Sequence, residues 1–146
     1  MKIFDCTTFY SEHLMMDVRF NVLNEHVHKF IVAESTFSHS GEPKKLNFDI
    51  NNYPKFKDKI IYVIIDKEPN NIIGIENKLL TTVDKRSNSL KRIELSYDYM
   101  IKSLDMALDN DLIILSDNDE IPNLGSKQFK SSNKDIFIFK QLFFHY

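Results

Sequence analysis

The stretch Asp111-Leu-Ile-Ile-Leu-Ser-Asp-Asn-Asp-Glu-Ile-Pro122 constrains the fold more than any other part of the chain. Four consecutive apolar residues, Leu112 to Leu115, predict a short strand buried on both faces. The run stops at Ser116 and is followed by three carboxylates in four positions, Asp117, Asp119 and Glu120. Pro122 closes the segment, because a residue without a backbone N–H rarely continues a central strand. Acids at the carboxyl end of a buried strand stand where open α/β sheets bind ligands. Hard divalent cations take oxygen ligands, and Mg²⁺ commonly takes one or two carboxylates together with substrate phosphates. The competing reading is a solvated acidic turn. A second Asp-x-Asp, Asp109-Asn-Asp111, serves as an internal control: it lies at the amino end of the same strand, where Asp and Asn are favoured for turn reasons.

Other apolar runs also have strand length. Lys2 to Phe9 predicts a first strand, Lys29 to Glu34 a second that also ends in an acid, and Ile60 to Ile65 the strongest of all, ended by Asp66. Between the first two, Glu12 to about Glu25 reads as an amphipathic helix. Leu14, Met15, Val18, Val22 and Leu23 form its expected apolar stripe, with Asp17, Arg19 and Asn21 off it. A helix capped by Ser87 or Ser89 is expected from Leu90 to Leu108, with Ile93, Tyr97, Met100, Ile101, Leu104 and Leu108 on its stripe and Arg92 and Lys102 outside it. Tyr53 to Lys59 is polar, Asn70 to Asp84 irregular, and Ile136 to Tyr146 reads as a final, aromatic-rich strand. Strands alternating with helices give an α/β fold in which several strands end on a shared rim.

Composition narrows the chemistry. With 146 residues, 42 % hydrophobic and 27 % charged, the chain is expected to form one domain spanning 1–146. The net charge of −2 is interspersed, so no basic face argues for nucleic acid or an anionic membrane. Glycine occurs only at Gly41, Gly74 and Gly125, too few and too scattered for a dinucleotide-binding or P-loop fingerprint. Any phosphate must then be held by metal, by Lys or Arg, or by helix N-termini. Cys6 is the single cysteine, which excludes an intramolecular disulfide and a Cys-based zinc site and suits a buried core position. His26-Val-His28 has strand-type ligand spacing but no third partner nearby. No run of about 18 or more apolar residues and no leader-like segment occurs, so the expectation is a cytoplasmic chain without a membrane segment. The apolar end at 136–146 needs a cover, either further protein or a second copy of the chain.

Several segments together resemble glycosyltransferase family 17. They are Phe4-Asp-Cys-Thr-Thr-Phe9, Glu12 to Leu23, Phe30-Ile-Val-Ala-Glu-Ser35, Ser40-Gly-Glu-Pro-Lys-Lys-Leu-Asn-Phe48, Lys57 to Val63 and Ser116-Asp-Asn-Asp-Glu-Ile-Pro122. Their order and spacing match from about residue 3 to 123. The resemblance implies a GT-A-like, Rossmann-like sheet flanked by helices that binds a nucleotide sugar, incomplete at its C-terminus relative to the family. It implies transfer of GlcNAc from UDP-GlcNAc to a glycan acceptor, inverting and β-linked, with Mn²⁺ or Mg²⁺ on the Asp-x-Asp motif. Asp119 is then the direct metal ligand, Asp117 touches the ribose or a metal-bound water, and Glu120 orients the set. Glu34, Lys44, Arg92 and Asp117 are the expected donor-binding residues, and no catalytic base is identified. One departure stands out: the family's Arg-Glu-x-x-Gln-Arg-Asn pattern is kept at Arg92, but Ser96-Tyr97-Asp98 replaces its Gln-Arg-Asn. Two alternatives stay open. One is a non-catalytic or incomplete domain that binds a nucleotide sugar or a partner chain. The other is Mg²⁺-dependent phosphoryl transfer, which Asp117-Asn-Asp119 superficially suits.

Overall fold

Four apolar runs become four strands, because their period-2 alternation gives each an inward residue for both faces of a sheet. The computed structural model describes residues 1–74, 79–125 and 135–140. Its main elements in chain order are β1 (Ile3–Thr8), α1 (His13–Leu23), β2 (Lys29–Ser35), β3 (Ile60–Ile65), α2 (Thr82–Lys102) and β4 (Leu112–Leu115). All pairings are parallel and the strand order is β3-β2-β1-β4. The chain moves from β1 outward through β2 to β3, then returns through α2 to place β4 on the other side of β1. That reversal makes the carboxyl end of β1 a topological switch point, the feature of doubly wound sheets.

Each face carries its own core. On one, Ile3, Phe30, Val32, Ile60 and Ile114 meet Met16, Phe20 and Leu23 of α1. On the other, Phe4, Cys6, Ile31, Ala33 and Ile65 meet Met100 of α2. Cys6 is buried as expected, and burial, then Asp5, pushes its thiol up to about 12. The segment before β3 is not simply polar. Two short 3₁₀ turns, Ile50–Asn52 and Lys57–Lys59, bring Tyr53 and Phe56 onto the Phe20 and Phe30 rings.

Both helices bury residues outside the apolar stripe that the sequence predicts, although Leu23, Tyr97, Met100 and Leu104 of those stripes do pack inward. In α1 the buried residues are Met16, Arg19, Phe20 and Leu23, whereas Leu14, Val18 and Val22 are exposed, Leu14 by 79 %. The residues at 16, 19, 20 and 23 share one helical face, and Arg19 takes its place there because it finds a buried ionic partner. In α2 the helix starts at Thr82, with Thr81 and Asp84 forming a capping box, so neither Ser87 nor Ser89 is the cap. It ends at Lys102, and its buried line is Asn88, Arg92, Ser96 and Met100, with Ile101 and Leu108 exposed. Arg92, expected off the stripe, is on it.

Two strand expectations also change. β4 is covered on one face only, with Ile113 40 % and Leu115 45 % exposed, while the main sheet contacts of α2 are with β2 and β3. Residues 136–140 form no strand; Phe137 and Phe139 lie on the α1-side core while Ile136 and Ile138 face outward. Residues 141–146, the rest of that expected strand, lie outside the described residues.

The reassigned face of α1 has a direct consequence for stability. Phe20→Ala removes a ring in contact with Phe30, Tyr53 and Phe56 and should cost about 3–5 kcal/mol. Leu14→Ala, on the expected but exposed stripe, should stay within about 0.5 kcal/mol. Urea denaturation midpoints of the two variants check this directly.

Candidate active site

A cavity of about 720 Å³ opens at the carboxyl ends of the strands, over the switch point. Thr8, Phe9 and Tyr10 line it from β1 and its exit, and Ala33 and Ser35 from β2. Phe37 to Ser40 and Lys44 contribute the loop wall, Arg92 and Ser96 the α2 wall, and Asp117 to Asp119 the wall after β4. The two Asp-x-Asp motifs separate as the internal control requires. Asp111 serves its turn, accepting hydrogen bonds from the backbone amides of Lys2 at 2.6 Å and Leu108 at 3.1 Å. Asp117 and Asp119 face the cavity.

The acidic loop is held from below by Arg19. Period-2 alternation puts Asp5 on the α1 face of β1, and the α1 face that buries Phe20 also buries Arg19. The guanidinium donates from Nε and Nη2 to the two Asp5 carboxylate oxygens at 2.8 and 2.7 Å. Nη2 also donates to Ser116 Oγ at 2.8 Å. Nη1 donates to the carbonyls of Asp117 at 2.8 Å, Glu120 at 3.2 Å and Asn118 at 3.3 Å. Ser116 Oγ in turn donates to the Glu120 carbonyl at 3.0 Å. With the carbonyls of Asp117, Asn118 and Glu120 turned inward to the arginine, the side chains of Asp117 and Asp119 are exposed on the cavity wall. Glu12 ties the loop from the other side, its Oε2 accepting from the amides of Tyr10 and Ser11 and from Asn118 Nδ2. Partial burial raises the Glu12 carboxyl, but those donors outweigh it and hold it below the ordinary glutamate range.

Glu34 does not reach the cavity. Its side chain is fully buried and accepts from Lys44 Nζ, the amides of Asn47 at 2.8 Å and Phe48 at 2.9 Å, and the Tyr62 hydroxyl at 2.7 Å. Those bonds use both oxygens and leave none for a ligand; Glu34 anchors the loop that forms the cavity wall. Lys44 does line the cavity, with its ammonium between Glu34 and the Tyr10 ring, 5.1 Å from the ring centroid.

Arg92 also lines the cavity, held in place rather than free. Its Nε and Nη2 donate to the two Glu68 oxygens at 2.8 and 3.0 Å, and its Nη1 to the His39 carbonyl at 3.0 Å. Gly41 makes this approach possible. It sits at φ +91°, and a Cβ there would lie 2.4 Å from Arg92 Nη2. Where the family pattern departs, Ser96 lies on the cavity wall with its hydroxyl donating to the Arg92 carbonyl. Tyr97 stands close enough to the acidic loop that burial, then Asp117 and Glu120, raise its phenol.

Asp117 and Asp119 fit a hard divalent cation by donor type: both are exposed carboxylates on the cavity wall, and no described residue donates a hydrogen bond to either side chain. Glu120 does not line the cavity, and its Oε2 accepts from the Asp117 amide at 3.4 Å. Among the described residues no three acidic, His or Cys side chains converge on one point, so neither this trio nor His26 and His28 makes a closed protein cage. An open pair suits an ion that completes its shell with phosphate and water.

The pattern that defines glycosyltransferase family 17 matches residues 1–136 of this chain. The chain belongs to that family. A relative from Rattus norvegicus, beta-1,4-mannosyl-glycoprotein 4-beta-N-acetylglucosaminyltransferase, is 27 % identical over 125 residues. The match covers 83 % of this chain and 22 % of the relative, so the chain spans about a fifth of the curated relative's length. No solved structure matches. The α/β class with a parallel, Rossmann-like sheet is as the sequence predicts. No described helix is long and apolar enough to cross a membrane.

Asp5, Glu12, Arg19 and Asn118 are the site residues that the sequence reading leaves out. An acid in the middle of a buried strand, Asp5 in Ile3–Thr8, is the signal that a buried cation must meet it. Glu34 makes the electrostatics testable. Burial raises its carboxyl, but Lys44, Asn47, Phe48 and Tyr62 together lower it further, so the net folded pKa is depressed. A depressed pKa stabilises the fold above the unfolded value and the contribution is lost as pH falls through the folded one. Glu34→Gln should therefore be less stable than the parent near pH 7, and the gap should narrow below the ordinary value of 4.5. Urea midpoints at neutral pH and at about pH 3 measure that narrowing.

Proposed function

We propose that residues 1–146 form a single GT-A-like domain that binds the donor of a metal-dependent glycosyltransferase. The donor is UDP-GlcNAc, the metal Mn²⁺ or Mg²⁺, and the transfer inverting, to a glycan acceptor. The observation that carries this reading is the position of Asp117 and Asp119 on a cavity at the switch point, with Lys44 and Arg92 lining the same cavity. Paired carboxylates and two cations around one cavity suit a diphosphate bound with a divalent ion. The relative's name, an N-acetylglucosaminyltransferase, supports GlcNAc as the sugar.

On this reading Asp119 is the direct ligand and Asp117 the ligand or the partner of ribose or metal-bound water. Glu120 keeps the loop in shape through the Asp117 amide. When bound, the ion supplies Lewis-acid stabilisation of the departing UDP. Lys44 and Arg92 set the positive side of the wall, and their fixed partners, Glu34 and Glu68, keep both cations in place before donor arrives. Tyr10, half exposed beside Lys44, offers an aromatic face within the same cavity. Glu12, the other carboxylate in the wall, is committed to three hydrogen bonds and suits organising the loop better than abstracting a proton.

The departure at Ser96-Tyr97-Asp98 favours one second reading, a domain that binds a nucleotide sugar without turning it over. Ser96 reaches the cavity wall with a hydroxyl already bonded to the Arg92 carbonyl, so it brings no charge to the donor. Calorimetry decides the common part of both readings: UDP-GlcNAc should bind only with Mn²⁺ present, and Asp119→Ala should weaken it about 10-fold or more. Binding that ignores Mn²⁺, or an Asp119→Ala protein that binds as the parent does, contradicts the donor site. Release of UDP in the presence of a glycan acceptor separates turnover from binding alone.

A further inference from the structure

We infer that Arg19 is a positioning residue for the acidic motif, acting with Asp5 and Ser116, and that α1 thereby sets the metal affinity of the site. The inference deepens the donor-site reading above and rests on it.

The geometry is more specific than a buried charge requires. Asp5 alone neutralises the guanidinium, through two bonds to its two oxygens. All the remaining donation goes to one short segment: Ser116 Oγ and the carbonyls of Asp117, Asn118 and Glu120. Three carbonyls converging on one nitrogen fix the direction in which the intervening peptide planes face, and with it the direction of the Asp117 and Asp119 side chains. The loop's own backbone–backbone bonds are few, the Glu120 amide to the Asp117 carbonyl at 3.1 Å and the Ile121 amide to the Asp119 carbonyl at 3.2 Å. They are supplemented by Ser116 Oγ to the Glu120 carbonyl at 3.0 Å and the Asp117 amide to Glu120 Oε2 at 3.4 Å. Arg19 is fully buried and touches none of the carboxylates it orients, so its effect on a ligand passes through the loop backbone.

A buried ion pair replaced as a unit by apolar side chains of similar size commonly leaves a protein folded, whereas removing one partner does not. Asp5→Leu combined with Arg19→Met therefore separates folding from positioning, and Ser116→Ala, with Ser116→Thr as its conservative control, tests the same link without touching either charge. Three measurements are made on each protein: the thermal midpoint, amide hydrogen exchange, and Mn²⁺ affinity by electron paramagnetic resonance with the metal alone. In the folded double variant, exchange at Glu120 and Ile121 should quicken about tenfold or more while β1 and β2 amides keep their protection. Mn²⁺ affinity should fall about 10-fold. Ser116→Ala should move both in the same direction by less, and Ser116→Thr should restore them. A folded variant with parent-like loop exchange overturns the inference. So does quickened exchange with unchanged Mn²⁺ affinity, which would make Arg19 purely structural. If the double variant does not unfold cooperatively, Ser116→Ala decides by the same two readouts. Absence of Mn²⁺ binding by the parent protein is a different failure: it overturns the donor-site reading itself.

Discussion

A buried arginine persists only where every N–H it carries is met and its charge is balanced, because an unmatched ion in a low-dielectric interior costs several kcal/mol. Arg19 meets that condition by joining three elements that are far apart in sequence: its own helix α1, Asp5 on β1, and the turn after β4. The site follows from that requirement. The turn after β4 cannot face its Asp117, Asn118 and Glu120 carbonyls to solvent without leaving guanidinium protons unbonded, and the Asp117 and Asp119 carboxylates line the cavity instead. The same contact adds to the parallel pairing with β1 and the burial of Ile114 in holding β4, which is covered on one face only.

The other polar groups near the rim obey the same rule with different partners. Glu34 gathers an ammonium, two amides and a phenol, and so closes the loop from Thr36 to Phe48 against the sheet. Arg92 gathers Glu68 and the His39 carbonyl, with Gly41 leaving room for its guanidinium. Of the buried helix face Asn88, Arg92, Ser96 and Met100, the middle two line the cavity, while Asn88 bonds the Ile73 backbone and Met100 joins the core. Local rules of burial yield where side chains are needed for a ligand. Among the described acids that line the cavity, Glu12 is met by three donors while Asp117 and Asp119 have none, and those are the two that the proposed donor site assigns to a cation.

Much of the fold is legible in the sequence because strands report both faces at once. Ile60–Ile65 and Leu112–Leu115 appear in the structure with the boundaries that their apolar runs suggest, and the α/β class follows. Helix faces are less legible, since hydrophobicity alone chooses them. Leu14, Val18 and Val22 outvote Arg19 on that count, yet an arginine with a buried carboxylate partner 14 positions away defines the inner face. The same failure hides Arg92 in α2. The rim position of the acidic motif is legible, and so is the turn role of Asp109-Asn-Asp111 at the other end of the strand, where Asp111 accepts from the Lys2 and Leu108 amides. Glu34 looked identical to Asp117 as an acid ending a strand; what separates them is a lysine, a tyrosine and two amides brought in from 10 to 28 positions away.

The central claim is that the carboxyl-rim pair, and not the acid pair at the other end of the same strand, receives a metal-bound diphosphate. Paramagnetic broadening of the backbone amide spectrum by Mn²⁺ in the presence of UDP tests it residue by residue. The account predicts broadening centred on Asp117 to Glu120 and extending to Thr8–Tyr10 and the Ser38–Gly41 loop, with the amides of Asp109 to Asp111 preserved. Broadening centred on Asp109 and Asp111, or spread evenly over the surface acids, would contradict it.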